Sequence, residues 1–415
     1  MTLFVTLSFI LLTIIGCGQT VPAPTQKQWT IMFYAAGDND LDSHLFNSVV
    51  QLQKAGSTSQ VNIVAETDWW HRQGAADTLV TGEGVGRWYI EKSDSVTKLT
   101  STLVESVAEI NTGTATSVKD FVIWAAQKYP AQHYMLVMTS HGGGWRTNAQ
   151  ALAARGVGQD YTSDPTKQIL ITLPEFKAVL PSIKSALGKN IDIFACDSCL
   201  NGMVEFAYQF KDHVDILVAS EENVPGTSFP WDTIAVSLVA DPTISAVNLA
   251  KNIVNLYYTA YTQQQITTLA AIDLSKITAV VTAIKELAPL FDTTSKDTAF
   301  KNLVNTASGQ NYSIQRYGDV TFRDIWDMAD KIITNWGSDP AYSSIVSKCA
   351  TIKTAVESAV LLSKYTSGSS DTYSVANSHG LSLYIPTPQT TAYDTDYTNL
   401  DFTTYTGWGT FLQKL

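Results

Sequence analysis

Cysteine and positive charge are both scarce in this chain. Four cysteines occur among 415 residues, and 27 Lys and Arg stand against 38 Asp and Glu, for a net charge of −11. The basic residues are scattered, which excludes the clustered positive patch that a nucleic-acid partner requires. Low-complexity tracts and short internal repeats are absent as well. The remaining composition, 45% hydrophobic over this length, indicates an acidic globular protein of one large domain or two.

Long apolar runs are also missing, apart from one at the N-terminus. Leu3–Ile15 is short for a span of about 30 Å of hydrocarbon but suits the apolar core of a signal peptide. It leads into Ile14-Ile15-Gly16-Cys17, which resembles the lipobox of bacterial lipoproteins, whose cysteine becomes the lipidated N-terminus. We therefore predict a signal peptide over residues 1–17, lipidation at Cys17, a tether over 18–27 and export to the cell envelope, where the lipid holds the protein to the membrane. An ordinary signal peptide and a cytosolic start are the alternatives.

If Cys17 carries lipid, three cysteines remain, namely Cys196, Cys199 and Cys349. An odd number excludes a complete disulfide framework. An unpaired thiol in an exported protein suggests that the thiol has a function.

From residue 28 onward, short apolar segments alternate with segments of helical spacing. Near-continuous apolar strands separated by helices predict a largely parallel sheet covered on both faces, that is, an α/β fold. The predicted strands are Trp29–Ala36, Val61–Ala65, His133–Thr139, Ile191–Ala195 and Val214–Ala219. Helices are predicted over Leu45–Ala55, the amphipathic stretch Val96–Ile110, Thr116–Lys128 and Leu173–Leu187. Polar and reactive residues follow the strands, where open α/β sheets place their ligands.

Past about residue 265 the alternation loosens, and the sequence becomes mainly helical. We therefore divide the chain into a main domain over 28–265 and a C-terminal part over 266–415 that packs on it. The predicted helices of this part are Ile277–Leu290, Phe322–Trp336 and Ser344–Leu362, with a late strand at Gly380–Ile385 that can rejoin the main sheet.

A histidine and a cysteine stand at the ends of two successive predicted strands. His141 opens the sequence His-Gly-Gly-Gly, whose glycines let the backbone approach a ligand and offer N–H donors. Cys199 follows the next strand and precedes a helical pattern starting near Gly202, whose N-terminus would lower the pKa of the thiol. A thiol, an imidazole and backbone donors are the groups that nucleophilic cysteine catalysis requires.

These motifs resemble the clostripain-like cysteine peptidases, a bacterial branch of the caspase-like clan. Ser140-His-Gly-Gly-Gly-Trp145 is similar to the histidine motif of that family. Asp197-Ser-Cys-Leu-Asn-Gly-Met-Val-Glu205 is similar to its cysteine motif, with Ser198 and Asn201 in place of the family's Ala and Met. Further segments of resemblance extend from about residue 28 to residue 386.

The resemblance implies a caspase-like three-layer sandwich that carries a cysteine endopeptidase. By position, Cys199 is the nucleophile, His141 is the general acid and base, and the N–H groups of Gly142 and Cys199 form the oxyanion hole. Asp197 matches the acidic residue at the floor of the family's S1 pocket. A carboxylate there selects Arg or Lys at P1, because a buried cation needs a countercharge.

The resemblance also implies maturation of a zymogen by self-cleavage between the two motifs. Arg155 is the candidate cleavage site, with Lys167 behind it. The expected partners are peptides or proteins with a basic P1 residue, and the enzyme is expected to be a monomer without an organic cofactor. Calcium is compatible with the family. No metal ligand is assigned, because Asp38-Asn-Asp40 and Asp42 do not follow the ligand pattern of an EF-hand.

Other interpretations of the same residues stay open. The chain could be a catalytically inactive, surface-binding lipoprotein on the same fold. Cys196 and Cys199 have the spacing of a redox Cys-x-x-Cys pair, which predicts a thiol oxidoreductase. A zinc site would need two further ligands, and no second Cys/His pair is present. Asp197 could simply cap the helix that follows it.

Overall fold

The computed structural model describes residues 26–69, 85–146, 158–163, 171–262, 265–308, 311–367, 373–386 and 393–415. Cys17, Arg155 and Lys167 therefore lie outside the described residues. Within those ranges, no helix combines the length and the apolar character needed to cross a membrane.

The strands of the described chain are β1 (Lys27–Gly37), β2 (Val61–Trp69), β3 (Val85–Tyr89), β4 (Thr102–Val107), β5 (Ala131–Thr139), β6 (Ile191–Asp197), β7 (Val214–Ala219), β8 (Thr267–Asp273), β9 (Ala307–Ser308), β10 (Asn311–Tyr312), β11 (Phe322–Asp324), β12 (Val360–Thr366) and β13 (Ser382–Tyr384). Nine of these strands form one sheet, in the order β12-β8-β7-β6-β5-β1-β2-β3-β4. The five inner strands from β7 to β2 run parallel, and the two strands added at each edge are antiparallel to their neighbours.

Helices cover both faces of the sheet, so the molecule has three layers. On strand β5, Leu136 and Met138 pack into one core while Met135 and Val137 pack into the other. This two-sided burial explains the near-continuous apolar sequence of the inner strands. The helices are α1 (Asp42–Leu52), α2 (Ala115–Lys128), α3 (Leu173–Leu187), α4 (Val204–Phe210), α5 (Trp231–Ala240), α6 (Ala246–Tyr261), α7 (Ile277–Leu287), α8 (Thr294–Asn305), α9 (Ile325–Trp336), α10 (Ser343–Ala359), α11 (Asp401–Thr406) and α12 (Trp408–Leu412).

Helix α3 illustrates how local sequence sets the boundaries of these elements. Thr172 and Glu175 form a capping box, in which each side chain accepts from the other residue's backbone N–H, and Pro174 occupies the first turn. The helix ends at Gly188, whose φ of 72° favours glycine. The prediction of Leu173–Leu187 is confirmed to the residue.

Sequence from beyond residue 265 completes the main sheet. β8 pairs with β7, and β12 pairs with β8, so the sheet contains strands from both parts of the chain. The late strand predicted near Gly380 does form, but β13 pairs with β11 in a separate two-stranded sheet.

Three of the predicted helices are wrong in part. The helix predicted over Phe322–Trp336 begins only at Ile325, because Phe322–Asp324 form strand β11 paired with β13. The stretch Val96–Ile110 contains strand β4 instead of a helix, because its alternating Thr-Leu-Val-Glu-Ser-Val pairs with β3 at the exposed sheet edge. The helix predicted over Ser344–Leu362 stops at Ala359, where Val360 begins β12. A β-branched and leucine-rich sequence can form a helix or a strand. Val360–Thr366 form a strand because they pair with the open edge of β8.

Candidate active site

His141 and Cys199 occupy equivalent positions beyond neighbouring parallel strands. Thr139 on β5 is in register with Asp197 on β6, and each candidate lies two residues further on. The two loops are in close contact, because a Cβ on Gly142 would lie 2.4 Å from the carbonyl oxygen of Cys199 and 2.7 Å from its nitrogen. Only glycine fits this position. The structure therefore brings together the three residues predicted to form the catalytic pair and the oxyanion hole.

The turn that holds Cys199 is strained and tied to the next strand. Leu200 has a φ of 62°, in the left-handed region that is unfavourable for a residue with a Cβ, and its N–H donates to the carbonyl of Glu222. The N–H of Val224 donates to Cys199 Sγ at 3.3 Å, and the thiol faces the Val224 carbonyl at 3.8 Å. Backbone strain at a nucleophile is a common feature of active sites.

The expected lowering of the Cys199 pKa by a helix is not observed. Helix α4 begins at Val204, five residues after the thiol. Burial raises the pKa of Cys199 to about 11, with further contributions from Glu222 and Asp197, against opposing hydrogen bonds from the backbone of Val224 and of Cys199 itself. The resting thiol is therefore neutral at physiological pH.

His141 has a carboxylate partner that sequence reasoning missed. Its Nε2 donates to Oδ1 of Asp40 over 2.6 Å, and the hydroxyl of Tyr161 donates to the same oxygen over 3.0 Å. Burial works against ionisation of Asp40, but the hydrogen bond and charge of His141, together with Tyr161, lower its pKa below the ordinary value. This hydrogen bond leaves Nδ1 as the other ring nitrogen of His141. Asp40 stands at the end of a motif noted in the sequence, but no local pattern indicated its pairing with His141.

Asp197 is enclosed in the interior close to Cys199. Its Oδ2 accepts hydrogen bonds from the hydroxyl of Ser228, from Nε1 of Trp231 at 2.7 Å and from the N–H of Phe229 at 3.4 Å. Its Oδ1 is buried and has no hydrogen-bond partner among the described residues. Burial raises the pKa of Asp197 to about 6, although the bonds from Ser228 and Trp231 oppose the shift. Asp197 does not cap α4, whose N-cap residue Met203 makes no side-chain cap bond.

The two positions that depart from the family motif contact each other. The side-chain amide of Asn201 donates to the hydroxyl of Ser198 over 2.6 Å, and both residues are buried. The side-chain Oδ1 of Asn201 accepts from the N–H of Gly144 over 3.2 Å, in the loop after His141. Asn201 thus connects the cysteine loop with the histidine loop.

We expect Ser198 and Asn201 to be energetically coupled. Ser198→Ala leaves the buried Asn201 amide without an acceptor, which costs about 1–3 kcal/mol in the free energy of unfolding. Asn201→Met leaves the Ser198 hydroxyl and the Gly144 N–H unpaired. The double variant removes both partners of the Ser198–Asn201 hydrogen bond. Its loss in the free energy of unfolding is therefore expected to be about 1 kcal/mol smaller than the sum of the two single-variant losses.

Urea denaturation of the wild type, both single variants and the double variant measures this coupling. A double variant whose loss equals the sum to within about 0.5 kcal/mol would show that the two substitutions are independent.

The other two described cysteines pack in the hydrophobic core. Cys196 and Cys349 are fully buried free thiols, and burial raises the pKa of both. Cys199 is free as well, so Cys196 and Cys199 are not disulfide-bonded.

Carboxylates, rather than histidine or cysteine, form the metal-compatible cluster of the described residues. Asp38, Asp68, Glu109 and Asp160 each offer an oxygen, and these oxygens lie within 4.8 Å of one another. Of the loop noted in the sequence, only Asp38 belongs to this cluster. The Asn39 side chain donates to the Ala36 and Gln159 carbonyls instead. No spacing in the sequence indicated the other three carboxylates.

Known proteins resemble the chain along most of its length. The sequence profile described as the clostripain family matches residues 33–414. Clostripain of Hathewaya histolytica is 28% identical over 221 residues, which cover 49% of this chain and 41% of that protein. The chain thus aligns with less than half the length of this relative.

Solved structures share the fold. A secreted C11 cysteine protease from Bacteroides thetaiotaomicron, in complex with an irreversible peptide inhibitor, superposes with a TM-score of 0.64 at 19% identity, covering 92% of this chain and 99% of that one. An inactive zymogen C11 protease from Parabacteroides distasonis gives a TM-score of 0.66 at 18% identity, with coverage of 92% and 99%. The family match and the shared fold agree, and the chain belongs to the clostripain family.

Proposed function

We propose that this protein is a cysteine endopeptidase that cleaves after Arg or Lys, with Cys199 as nucleophile and His141 as general acid and base. The observation that carries the proposal is the equivalent placement of the two residues beyond β5 and β6, with Gly142 against the Cys199 backbone. Membership of the clostripain family supports the same reaction, as does the similarity of the fold to that of a secreted C11 cysteine protease.

In the proposed mechanism, proton transfer accompanies nucleophilic attack. The resting thiol is neutral, so Cys199 Sγ loses its proton to Nδ1 of His141 as it attacks the scissile carbonyl. The N–H groups of Gly142 and Cys199 stabilise the oxyanion. His141 then protonates the leaving amine, which releases the C-terminal product and leaves a thioester on Cys199. A water molecule, activated by His141, hydrolyses the thioester and restores the thiol.

Specificity for a basic P1 side chain is proposed to come from Asp197. Three donors already hold its Oδ2, while Oδ1 has no partner in the described structure. A substrate guanidinium or ammonium supplies the missing donor and the countercharge that a buried carboxylate needs.

Maturation and location complete the proposal. Self-cleavage of the zymogen is proposed at Arg155, which lies between the histidine motif and the cysteine motif in the sequence. Export as a lipoprotein through Cys17 would place a monomeric enzyme at the cell envelope, where proteins and peptides are its substrates.

A panel of fluorogenic peptides tests the function. The full chain is assayed in mild detergent and reductant, with and without calcium, on matched peptides bearing Arg, Lys, Asp, Asn or Leu at P1. Selective cleavage after Arg and Lys supports the proposal. Cleavage only after Asp or Asn would reject the role of Asp197, and no cleavage of any peptide would favour a binding lipoprotein. Intact mass in parallel reports cleavage at Arg155.

We predict that Asp40 positions His141 for these steps. In the Asp40→Asn variant, the imidazole of His141 loses its charged acceptor, so kcat is expected to fall about 10- to 100-fold. This loss is part of the 10²- to 10⁴-fold rate enhancement that general acid–base catalysis contributes. KM should change little, because Asp40 is not proposed to touch the substrate. Steady-state kinetics separate the two parameters, and Asp40→Glu should recover part of kcat. A variant that raises KM and leaves kcat unchanged would contradict the positioning role.

A further inference from the structure

A groove lies along one edge of the main sheet. It has a volume of about 460 Å³ and is lined by Tyr258 and Thr262 on the α6 side and by residues 363–367 on the β12 side. Strand β12 pairs with β8, and no strand among the described residues pairs with its other side. The backbone N–H and C=O groups on that outer side are therefore available to another extended chain.

The directions of the strands place this groove at the active-site end of the sheet. β8 is antiparallel to β7, and β12 is antiparallel to β8, so β12 ends at the same edge as the parallel strands β6 and β7. Cys199 follows β6, which is separated from β12 by β7 and β8. At about 4.8 Å between neighbouring strands, the lateral distance is roughly 14 Å, which about four extended residues can span.

Helix α6 connects the groove with the surroundings of Asp197. The hydroxyl of Tyr261 donates to the carbonyl of Ser228 at 2.6 Å, and the hydroxyl of Ser228 donates to Asp197. Tyr258 lies one turn before Tyr261 on the same helix, and Thr262 follows it directly. The groove therefore adjoins the proposed S1 pocket, so a single polypeptide can reach both.

The side chains of the groove indicate which kind of chain it can bind. Tyr258 and Tyr365 are 37% and 40% exposed, and Lys364 Nζ lies 4.5 Å from the centre of the Tyr258 ring. Lys364 makes no ion pair with a described residue, and no described Asp or Glu lines the groove. An uncompensated cation beside exposed aromatic rings favours a segment that carries both carboxylates and apolar side chains.

We propose that this groove is an exosite, that is, a substrate-binding site separate from the catalytic residues, and that it binds an extended acidic segment of a protein substrate. The segment adds to β12 as a further strand, with a carboxylate at Lys364 and apolar side chains against Tyr258 and Tyr365. Its role in selecting substrates rests on the proposed function, because a basic residue of the same polypeptide must occupy the active site. Binding itself does not require the nucleophile.

Binding is measured on the full chain carrying Cys199→Ala, in mild detergent. The probe is a fluorescein-labelled peptide of about ten residues in which Glu and Val alternate, a pattern that suits an added strand. Fluorescence anisotropy is expected to show saturable binding at one site per chain. The matched peptide with Gln in place of Glu should bind about tenfold more weakly or less, since it lacks the charge that meets Lys364.

Variants in the same background locate the site. Lys364→Glu and Tyr365→Ala are expected to weaken binding of the Glu–Val peptide about tenfold or more, because they remove the cation and an aromatic contact. Both positions are at the surface edge of the sheet, so both variants should fold. Lys54→Glu, at a side chain that is 58% exposed on α1's far end of the chain, changes net charge as much as Lys364→Glu and should leave binding unchanged.

The substrate role is measured in the chain that retains Cys199. A short fluorogenic peptide with Arg at P1 is compared with the same peptide joined through a Gly-Ser linker to the Glu–Val segment, at either end. The ratio of kcat/KM for the extended and the short peptide is expected to reach about 10 for one of the two linkages, because the linked segment raises the effective concentration of the scissile bond. Lys364→Glu should bring this ratio close to 1, whereas Lys54→Glu should keep it.

Four results would overturn the proposal. They are the absence of saturable binding, equal weakening by Lys364→Glu and Lys54→Glu, a wild-type ratio of 1 for both linkages, and a dimer in light scattering that the Glu–Val peptide dissociates. The last result would assign the edge of β12 to a second copy of the chain. Saturable binding in the Cys199→Ala chain, alongside a wild type that cleaves neither peptide, would reject the proposed function and the substrate role while the binding site stands.

Discussion

Replacing Cys199 with alanine is expected to abolish peptide hydrolysis, with kcat reduced by about 10⁴-fold or more. The proposed reaction passes through a thioester on Sγ, and no other described thiol can substitute for it. Cys196 and Cys349 are fully buried, and burial raises the pKa of both thiols. The loss should appear in kcat, measured with a fluorogenic peptide carrying Arg at P1, and in the loss of labelling by a thiol-directed peptide inhibitor.

Cys196→Ala is the matched control. This side chain packs in the core, so the variant should lose about 1–2 kcal/mol of stability and keep its kcat to within a few-fold. A thiol oxidoreductase that uses the Cys-x-x-Cys pair would respond in the opposite way, because both cysteines are then essential. Hydrolysis that persists in Cys199→Ala would reject the proposed nucleophile. Hydrolysis lost in a folded Cys196→Ala variant would instead favour thiol exchange.

The inner sheet and the close approach of the loops that carry His141 and Cys199 could be predicted from sequence because local patterns encode them. Strands buried on both faces require continuous apolar segments, and their carboxyl ends converge, so residues following β5 and β6 had to meet. His141 lies two residues beyond the predicted strand His133–Thr139, and Cys199 lies four residues beyond the predicted strand Ile191–Ala195. Strand β6 extends to Asp197, whose register with Thr139 places the two residues at equivalent positions.

The parts that escaped prediction depend on contacts between distant segments. Asp40 and His141 are 101 residues apart, and their bond follows from the order of strands β1 and β5, which no local pattern states. The sequence predicted a lowered pKa for Cys199, whereas burial raises it. Helix α4 begins five residues after the thiol, and its dipole does not outweigh the effect of burial. Strand β12 similarly depends on the free edge of β8, which is absent from the local sequence.

Asp197→Asn is expected to lower the preference for Arg over Leu at P1 by about 10- to 100-fold, in line with the 1.5–3 kcal/mol of a hydrogen bond to a charged group. The asparagine oxygen can still accept the bonds of Ser228 and Trp231, so the fold should persist. What disappears is the negative charge that compensates a cationic P1 side chain. The ratio of kcat/KM for two peptides that differ only at P1 measures this loss, because effects on Cys199 and His141 are common to both.

The same ratio should depend on pH in the wild type. Burial raises the pKa of Asp197 to about 6, so the carboxylate is charged above that pH and neutral below it. The preference for Arg over Leu should therefore be full near pH 8 and decline as pH falls through about 6, whereas the Asp197→Asn variant should give a low ratio at every pH. Asp212→Asn, at a side chain that is 70% exposed, should behave like the wild type. A wild-type ratio that stays constant from pH 8 to pH 5 would place the determinant of specificity elsewhere. Because the ratio cancels the titration of the catalytic pair, its pH dependence reports on Asp197 alone.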